Sequence, residues 1–295
     1  MSKKHPVIAV TGSSGAGTTT VKRAFEHIFL REKINAAVIE GDSFHSLSRV
    51  DFKEAVKKAE AEGNKHFSHF GPHSNHFDKL AELFETYGKT GSGKKRYYIH
   101  SDEEAAQHNK RLNTSLNPGE FTPWEDVPAG SDVLFYEGLH GLVKTDDVDV
   151  SKHVDLGIGV VPIVNLEWIQ KIHRDGAERG YSADVIVDTI LRRMPDYVNY
   201  ITPQFSRTDI NFQRVSTVDT SNPFITRDIP TPDESFIVIR FREPKGVDFP
   251  YLLNMIPNSF MSRRNTIVVP GAKMGFAMEL ILAPIIQDMI ASKGK

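Results

Sequence analysis

The chain has 295 residues, of which 39% are hydrophobic and 25% are charged. This length and composition suit a globular protein with a sizeable core and exclude a disordered or collagen-like chain. The 36 Lys and Arg residues nearly balance the 38 Asp and Glu residues, for a net charge of −2, so the chain lacks the basic field that holds nucleic acid or an anionic membrane. It has no cysteine, which excludes disulfides, thiolate metal sites and cysteine nucleophiles.

No segment of the sequence has the length and composition of a membrane span or of a signal peptide. The longest uncharged apolar stretch, 156–166, contains two glycines and Pro162 and is shorter than the roughly 18 residues that a span needs. We therefore expect a cytoplasmic protein that has no membrane or nucleic-acid partner.

Short apolar runs alternate with amphipathic stretches along the chain, which is typical of an α/β fold with a largely parallel sheet. Strands are predicted at 7–11, 36–40, 133–136, 154–161, 215–219, 236–241 and 266–269. Helices are predicted at 18–31, 51–62, 78–87, 166–179, 183–194 and 273–290, the last interrupted near Pro284. We expect one domain over 1–295, with a loop-rich insertion at 63–131 that is rich in Gly, Asn, Pro, Ser and His.

A glycine-rich turn lies between the first predicted strand and the first predicted helix. Backbone N–H groups and the positive end of the helix can hold a phosphate chain at such a turn. The threonine in the second position of the helix stands where phosphate-binding loops place a Mg²⁺ ligand, but the position before it, usually lysine, is also threonine, so a cation must come from elsewhere. The predicted nucleotide-binding residues are Gly12, Ser13, Ser14, Gly15, Ala16, Gly17, Thr18, Thr19 and Thr20.

The second predicted strand ends at the sequence EGDSFH, which contains Asp42 and His45 and is followed by Arg49. A carboxylate at the carboxyl end of a parallel strand projects into the crevice where open α/β sheets bind ligands. Asp42 can therefore take a proton from an acceptor hydroxyl. From position alone, a helix-capping role for Asp42 is about equally well supported.

Four apolar residues at 133–136 precede Glu137. This order is similar to a Walker B strand, in which the final acid holds Mg²⁺ directly or through water. The pattern is weak alone, but it is more specific here because the same sequence also contains the glycine-rich turn.

The predicted helix at 166–180 groups Lys171, Arg174, Asp175, Glu178 and Arg179 on one side. A solvated face with ion pairs four residues apart explains this pattern. The alternative is a mobile lid whose cations close over the nucleotide and replace the missing lysine. The sequence leaves both open.

Two further clusters have simpler interpretations. His66, His69, His73 and His76 are too loosely spaced for a metal site, and we assign them to a loop near the mouth of the substrate site. Lys94, Lys95 and Arg96 are predicted to form an exposed basic loop.

Taken together, GSSGAGTTT, EGDSFH with Arg49, YEGLHG and NLEWIQKIHRD resemble the cysteine-free phosphoribulokinases of proteobacteria, and the likeness extends through VDTSNPF and FPYLLNMI to IVVPG. The resemblance implies an α/β fold of the P-loop NTPase kind, with a mixed, largely parallel sheet flanked by helices as in nucleoside monophosphate kinases. It also implies transfer of the γ-phosphoryl group of ATP, with Mg²⁺, to O1 of D-ribulose 5-phosphate, the step that regenerates the CO₂ acceptor of the Calvin cycle.

The resemblance assigns roles to individual residues. Asp42 matches the catalytic base, Asp175 a second catalytic acid, and Lys171 and Arg174 the lid cations. Thr19, Glu137 and Asp175 match the Mg²⁺ ligands. His45, Arg49, His100 and Arg179 match groups implicated in sugar-phosphate binding.

The family resemblance also implies regulation by small molecules and self-association. Activation by NADH and inhibition by AMP are expected, with Arg31, Arg240 and Arg263 as the effector-response residues. The chain is expected to form a dimer-based homo-oligomer of up to eight copies. Two other functions stay open from the sequence: another P-loop kinase, similar to uridine or pantothenate kinases, and a non-catalytic nucleotide-binding protein.

Overall fold

The structure is a computed structural model that describes residues 4–12, 18–225 and 228–292. Its strands are β1 (Val7–Gly12), β2 (Ala36–Glu40), β3 (Lys94–Lys95), β4 (Glu125–Asp126), β5 (Val133–Gly138), β6 (Leu156–Val161), β7 (Ile210–Ser216), β8 (Ser235–Phe241), β9 (Phe260–Arg263) and β10 (Thr266–Pro270). Its helices are α1 (Thr18–Glu32), α2 (Arg49–Ala61), α3 (Phe77–Thr90), α4 (Asp102–Leu112), α5 (Val164–Arg179), α6 (Ala183–Asp196), α7 (Phe249–Met255) and α8 (Met274–Ala291).

The main sheet has the strand order β2-β5-β1-β6-β7-β8-β10-β9. The first five strands in this order are parallel to one another, and β8, β10 and β9 continue the sheet in antiparallel pairings. The carboxyl ends of β2, β5, β1, β6 and β7 therefore meet at one edge, where open α/β sheets bind their ligands. The prediction of a mixed, largely parallel sheet flanked by helices is confirmed.

Strand β1 shows why the sheet is covered on both faces. Its residues are all buried, with Ile8 and Val10 on one face and Val7 and Ala9 on the other. The first pair packs with apolar residues of α1 and α8, and the second pair packs with α3. The continuous apolar run of β1 is typical of a strand buried between two helical layers.

Helix α8 corrects one expectation, because it runs through Pro284 without interruption. The region 271–291 is long and apolar enough to pass a length-and-hydropathy test for a membrane span. Buried residues of α8, from Met274 to Ile286, belong to the core beside α1, which explains this composition by packing inside the fold.

The sequence placed one strand wrongly and missed several elements. The strand predicted at 215–219 is β7, which begins earlier, at Ile210; the polar Asn211 within it is buried and hydrogen-bonded to Thr208 and Phe205, which hid the strand pattern. The missed elements are β3, β4, α4, α7 and β9. Helix α4 buries Ala105 but little else, so its apolar periodicity is weak.

The segment 41–132 joins β2 to β5, two strands that lie side by side in the sheet. It contains α2, α3, α4 and the β3-β4 pair. Within 63–131, loops join α3, α4 and the β3-β4 pair.

Candidate functional site

The carboxyl edge of the parallel strands brings Glu137 and the turn that carries Asp42 beside the end of β1. Glu137 near the end of β5 pairs in register with Glu40 at the end of β2 and with Val10 of β1. Asp42 follows Glu40 in a single 3-10 turn over Gly41–Phe44. Topology thus explains why residues almost 100 positions apart in sequence share this edge.

The glycine-rich segment 12–20 begins at Gly12, the last residue of β1, and its last three residues open α1. Gly12 closes β1, and a Cβ built on it would lie 2.7 Å from the carbonyl oxygen of Val160, so the neighbouring strand leaves no room for a side chain. The predicted residues Ser13, Ser14, Gly15, Ala16 and Gly17 lie outside the described residues, as do the side chains of Thr18 and Thr19. Thr20 is exposed in the first turn of α1.

Asp42 sits between two histidines. Its Oδ1 lies 3.4 Å from Nε2 of His45, its Oδ2 lies 4.0 Å from Nε2 of His100, and its side chain is 44% exposed. Burial opposes ionisation, but the hydrogen bond from His45 and the charges of His45, His100 and His69 hold the pKa of Asp42 below its ordinary value. The carboxylate is therefore ionised and open to a ligand.

His45 is buried and fixed by its neighbours. Its Nδ1 lies 2.8 Å from Oδ1 of Asn75. Its ring centre is 4.9 Å from that of His69 and 6.3 Å from that of Tyr98. His69 in turn stacks on Phe52 of α2 at 3.5 Å, and burial lowers the pKa of His69 well below its usual value. His69, from the histidine-rich loop, thus packs against His45, the partner of Asp42.

Of the residues predicted to bind the sugar phosphate, His100 lies beside Asp42 and Arg49 lies at the start of α2. Arg49 is exposed at the start of α2, where its backbone N–H donates to the carbonyl of Gly119. His100 is exposed beside Asp42, and its backbone N–H donates to the carboxylate of Glu104 at 2.8 Å. The side chain of Arg179, the fourth residue predicted for this role, lies outside the described residues.

Arg96 corrects the prediction of an exposed basic loop. Its Nε donates to the carbonyl of Ser43 at 2.8 Å and its Nη2 to the carbonyl of His45 at 2.5 Å. Its guanidinium lies 3.8 Å from the ring centre of Phe121 and 4.6 Å from that of Trp124. Burial lowers the pKa of Arg96 to about 10, which leaves it charged at neutral pH.

The neighbouring Lys95 is buried as well and donates to the hydroxyl of Tyr97. Sequence reasoning therefore missed Asn75, Tyr98 and Arg96 as parts of the site. No local signal in the sequence marks them, because each meets Asp42 or its turn through contacts distant in sequence.

The predicted lid helix α5 pairs its own charges. Asp175 is 3% exposed, accepts a hydrogen bond from Nζ of Lys171, and lies 3.1 Å from Nη2 of Arg174. Burial, together with the charge of Arg193 on α6, lowers the pKa of Lys171 to about 8, although Asp175 acts in the opposite direction. An ion pair four residues apart is therefore present, but the side chains of Lys171 and Asp175 are only 13% and 4% exposed, so this part of the helix is not a solvated face.

Residues proposed for Mg²⁺ fall into two settings. Glu137 is partly buried at the carboxyl edge, whereas Asp175 is committed to Lys171 and Arg174. Within the part of the chain that the structure describes, no three His, Cys, Asp or Glu side chains form a metal cluster. Mg²⁺ is commonly bound by one or two carboxylates together with waters and substrate phosphates, and Glu137 suits that kind of site.

The three arginines predicted to respond to effectors lie away from Asp42. Arg31, on α1, pairs with Glu32 and with Glu279 of α8. Arg240 on β8 and Arg263 on β9 both pair in register with Thr266 of β10, so the two arginines share one row of the sheet.

Comparisons with known proteins agree with this architecture. Residues 7–221 match the phosphoribulokinase / uridine kinase family. The chain is 60% identical over 293 residues to the phosphoribulokinase of Nitrobacter vulgaris and 61% identical over 293 residues to that of Xanthobacter flavus, covering 99% of this chain and of each relative. The solved structure of phosphoribulokinase from Rhodobacter spheroides matches with a TM-score of 0.90 at 52% identity and covers 100% of both chains.

The chain belongs to the phosphoribulokinase / uridine kinase family. Within that family its likeness is to proteobacterial phosphoribulokinases, so the resemblance predicted from the motifs is confirmed. The chain is a kinase, that is, a phosphotransferase.

Proposed function

We propose that this kinase transfers the γ-phosphoryl group of ATP to O1 of D-ribulose 5-phosphate, forming ribulose 1,5-bisphosphate and ADP. The observation that carries the proposal is the ionised, partly open carboxylate of Asp42 at the carboxyl edge of the sheet, flanked by His45 and His100. The similarity to phosphoribulokinases over almost the whole chain supports the same substrate. The product places the reaction in the Calvin cycle.

In this proposal Asp42 accepts a hydrogen bond from the O1 hydroxyl. As the bond from O1 to the γ-phosphorus forms, the bond from that phosphorus to the β–γ bridging oxygen breaks, and its electron pair leaves with ADP. The hydroxyl proton passes to Asp42. Because phosphoryl transfer has a loose transition state, orientation of the hydroxyl matters more than strong basicity. The lowered pKa of Asp42 is compatible with that role.

The triphosphate would lie over residues 12–20, where the positive N-terminus of α1 favours anions. Thr19 and Glu137 would hold Mg²⁺, and Asp175 would join them. When bound, Mg²⁺ would offset the negative charge of the phosphates. Asp175 can take part only after it leaves Lys171 and Arg174.

Lid closure would exchange the partners of the α5 cations. Lys171 and Arg174 now contact a carboxylate of their own helix. In the closed state, phosphate oxygens would replace that carboxylate, so the cations would stabilise the transferred group and water would be excluded. The buried Asp175 thus keeps the two cations in place until the nucleotide arrives.

The sugar phosphate would be bound by Arg49, His100 and Arg179, while His45, whose ring nitrogens face Asn75 and Asp42, would contribute to this site through Asp42. His45, Arg49 and His100 lie on the segment 41–132, so this segment would supply most of the acceptor-binding residues. The proposal also includes activation by NADH and inhibition by AMP through Arg31, Arg240 and Arg263, in a dimer-based homo-oligomer. The shared row of Arg240 and Arg263 supports a common anion-binding surface for an effector.

A coupled assay of ADP release tests the proposal. ATP and Mg²⁺ are supplied with D-ribulose 5-phosphate, with uridine, or with no acceptor, each with and without NADH. ADP release that depends on the sugar phosphate and increases with NADH supports the proposal. Release that depends on uridine would instead identify a uridine-kinase-like enzyme, and acceptor-independent release would contradict the assignment of Asp42.

Activation by NADH is checked separately with Arg263→Ala. This variant keeps its basal rate in the proposal but requires more NADH for half-activation. An NADH titration that is the same as in the wild type would remove Arg263 from the effector response.

A further inference from the structure

Asn75 is a buried residue that joins the histidine-rich loop to the Asp42 turn. It follows a 3-10 turn over Pro72–Ser74, and its backbone forms an isolated antiparallel bridge with His45. The side-chain Nδ2 donates to two backbone carbonyls, that of His69 at 2.8 Å and that of Gly71 at 2.7 Å. Both amide protons are thereby used within the loop.

These two bonds decide which way the amide faces. The nitrogen must point at the two carbonyls, since an oxygen placed there would have no donor. Oδ1 of Asn75 therefore faces Nδ1 of His45, 2.8 Å away. An amide oxygen accepts hydrogen bonds and cannot donate, so Nδ1 of His45 carries a proton.

The opposite ring nitrogen of His45 faces Asp42. If the ring were neutral, with its only proton on Nδ1, the lone pair of Nε2 would face the carboxylate of Asp42 and repel it. If Nε2 is protonated as well, the charged ring attracts Oδ1 of Asp42, which lies 3.4 Å away. Burial works against the charged ring, but the bonds to Asp42 and Asn75 outweigh it, so the pKa of His45 is raised. Asn75 thus favours the form of His45 that holds Oδ1 of Asp42.

We propose that Asn75 is a positioning residue for phosphoryl transfer, acting through His45 to fix one oxygen of Asp42 and leave the other free for the acceptor hydroxyl. The inference rests on the proposed function and adds a residue to it. Contacts on the other side of the ring agree with a fixed orientation, because His69 and Tyr98 flank it and Arg96 holds its carbonyl. The free oxygen, Oδ2, lies on the side of His100.

A double-mutant cycle tests the inference. Asn75→Ala, His45→Asn and the double variant are assayed for kcat and for KM of D-ribulose 5-phosphate. We expect Asn75→Ala to lower kcat about 10- to 100-fold in the wild-type background, since misplacing a reacting group by about 1 Å costs this much. In the His45→Asn background, Asn75→Ala should lower kcat by less than about twofold. An equal loss in both backgrounds, or no loss in either, would overturn the inference.

Asn109→Ala is the matched control. Asn109 closes another loop of the same segment, where its side chain accepts from the backbone N–H of Leu116 at 2.7 Å and donates to its carbonyl at 2.9 Å. This variant should lower the unfolding temperature and leave kcat unchanged. A comparable fall in kcat would show that loop closure alone explains the effect of Asn75.

Asn75→Asp keeps the test decisive if Asn75→Ala does not fold. The carboxylate still accepts a hydrogen bond from His45 but cannot donate to His69 and Gly71. We expect a folded Asn75→Asp to be less stable than the wild type and to stay within about tenfold of its kcat, since the bond to His45 is kept. A greater loss of kcat would overturn the inference.

The proposed function and the inference fail in different ways. If the wild type releases no ADP with D-ribulose 5-phosphate, or if Asp42→Asn keeps wild-type turnover, the proposed function is wrong. If both of those tests succeed and the cycle is additive, only the role of Asn75 is wrong.

Discussion

Gly41 and Gly138 pack backbone against backbone at the carboxyl edge of the sheet. A Cβ built on Gly41 would lie 2.7 Å from Cα of Gly138, and one built on Gly138 would lie 2.6 Å from Cα of Gly41. The hydroxyl of Tyr136 closes the same space, within 2.7 Å of either Cβ. Gly41 opens the turn that carries Asp42, and Gly138 follows Glu137, so this contact sets the spacing between the proposed base and the proposed metal ligand.

Gly138→Ala should therefore impair catalysis through geometry. The added methyl group must displace the Asp42 turn or the end of β5, because backbone atoms rather than a flexible side chain occupy the space. We expect a loss of about 1–3 kcal/mol in the free energy of unfolding and a fall in kcat of about 10-fold or more. Denaturant unfolding and the ADP-release assay measure the two effects.

Gly275→Ala supplies the control for this substitution. Nothing lies within 4 Å of a Cβ built on Gly275 in α8, so the same methyl group should stabilise the helix by about 0.5–1 kcal/mol without changing kcat. Wild-type kcat and stability in Gly138→Ala would show that the edge tolerates a side chain.

Asp42→Asn tests the base directly. An amide keeps the shape of the side chain but cannot take the hydroxyl proton, so kcat should fall about 10²- to 10⁴-fold while the KM for ATP stays within about twofold. Asp126→Asn serves as the control, since the side chain of Asp126 is 80% exposed on β4 and pairs with Lys94. Near-normal turnover in Asp42→Asn would leave only the helix-capping or structural explanation of this residue.

The sequence predicted the parts of the site that follow directly from strand order. Apolar runs predicted β1, β2 and β5, and the carboxyl ends of β2 and β5 pointed to Asp42 and Glu137 as site residues. Arg96 and Asn75 could not be found in this way, because they reach the His45 turn across 51 and 30 residues of chain. Their partners are backbone carbonyls and a ring nitrogen, which leave no pattern in the sequence. Strand β7 shows the same limit, since its buried polar residue is satisfied by tertiary hydrogen bonds.

Arg96→Lys tests whether a planar cation is needed behind the Asp42 turn. Lysine keeps the charge but cannot donate in a fixed fork to the carbonyls of Ser43 and His45 while stacking on Phe121. Leaving these carbonyls without a donor should cost about 1–3 kcal/mol in the free energy of unfolding. We expect kcat to fall as well, by about tenfold, because the turn that carries Asp42 loses its anchor.

Arg111→Lys is the comparison for Arg96→Lys. Arg111 pairs with Glu125 at the surface, where an ion pair contributes at most about 1 kcal/mol. Its replacement should leave kcat unchanged. If the two lysine variants behave alike in kcat, the hydrogen bonds of Arg96 do not position the turn.

The buried His140 should make the free energy of unfolding depend on pH. It is 3% exposed, and its Nε2 lies 3.0 Å from the carbonyl oxygen of Phe70, so the neutral ring donates that hydrogen bond. Burial lowers the pKa of His140 to about 3, with the bond to Phe70 acting in the opposite direction. Between pH 6.5 and about 3 the unfolded chain binds a proton at this residue and the folded chain does not.

The contribution of His140 to the free energy of unfolding therefore decreases as the pH falls, by up to about 1.4 kcal/mol per pH unit. His69, whose pKa is also lowered, acts in the same direction, whereas the raised pKa of His45 acts in the opposite one. His140→Gln should be less stable than the wild type at pH 7.5 but should lose less stability between pH 6.5 and 5. Denaturant unfolding across this pH range measures both proteins, and parallel curves for the wild type and His140→Gln would mean that His140 takes up its proton without unfolding.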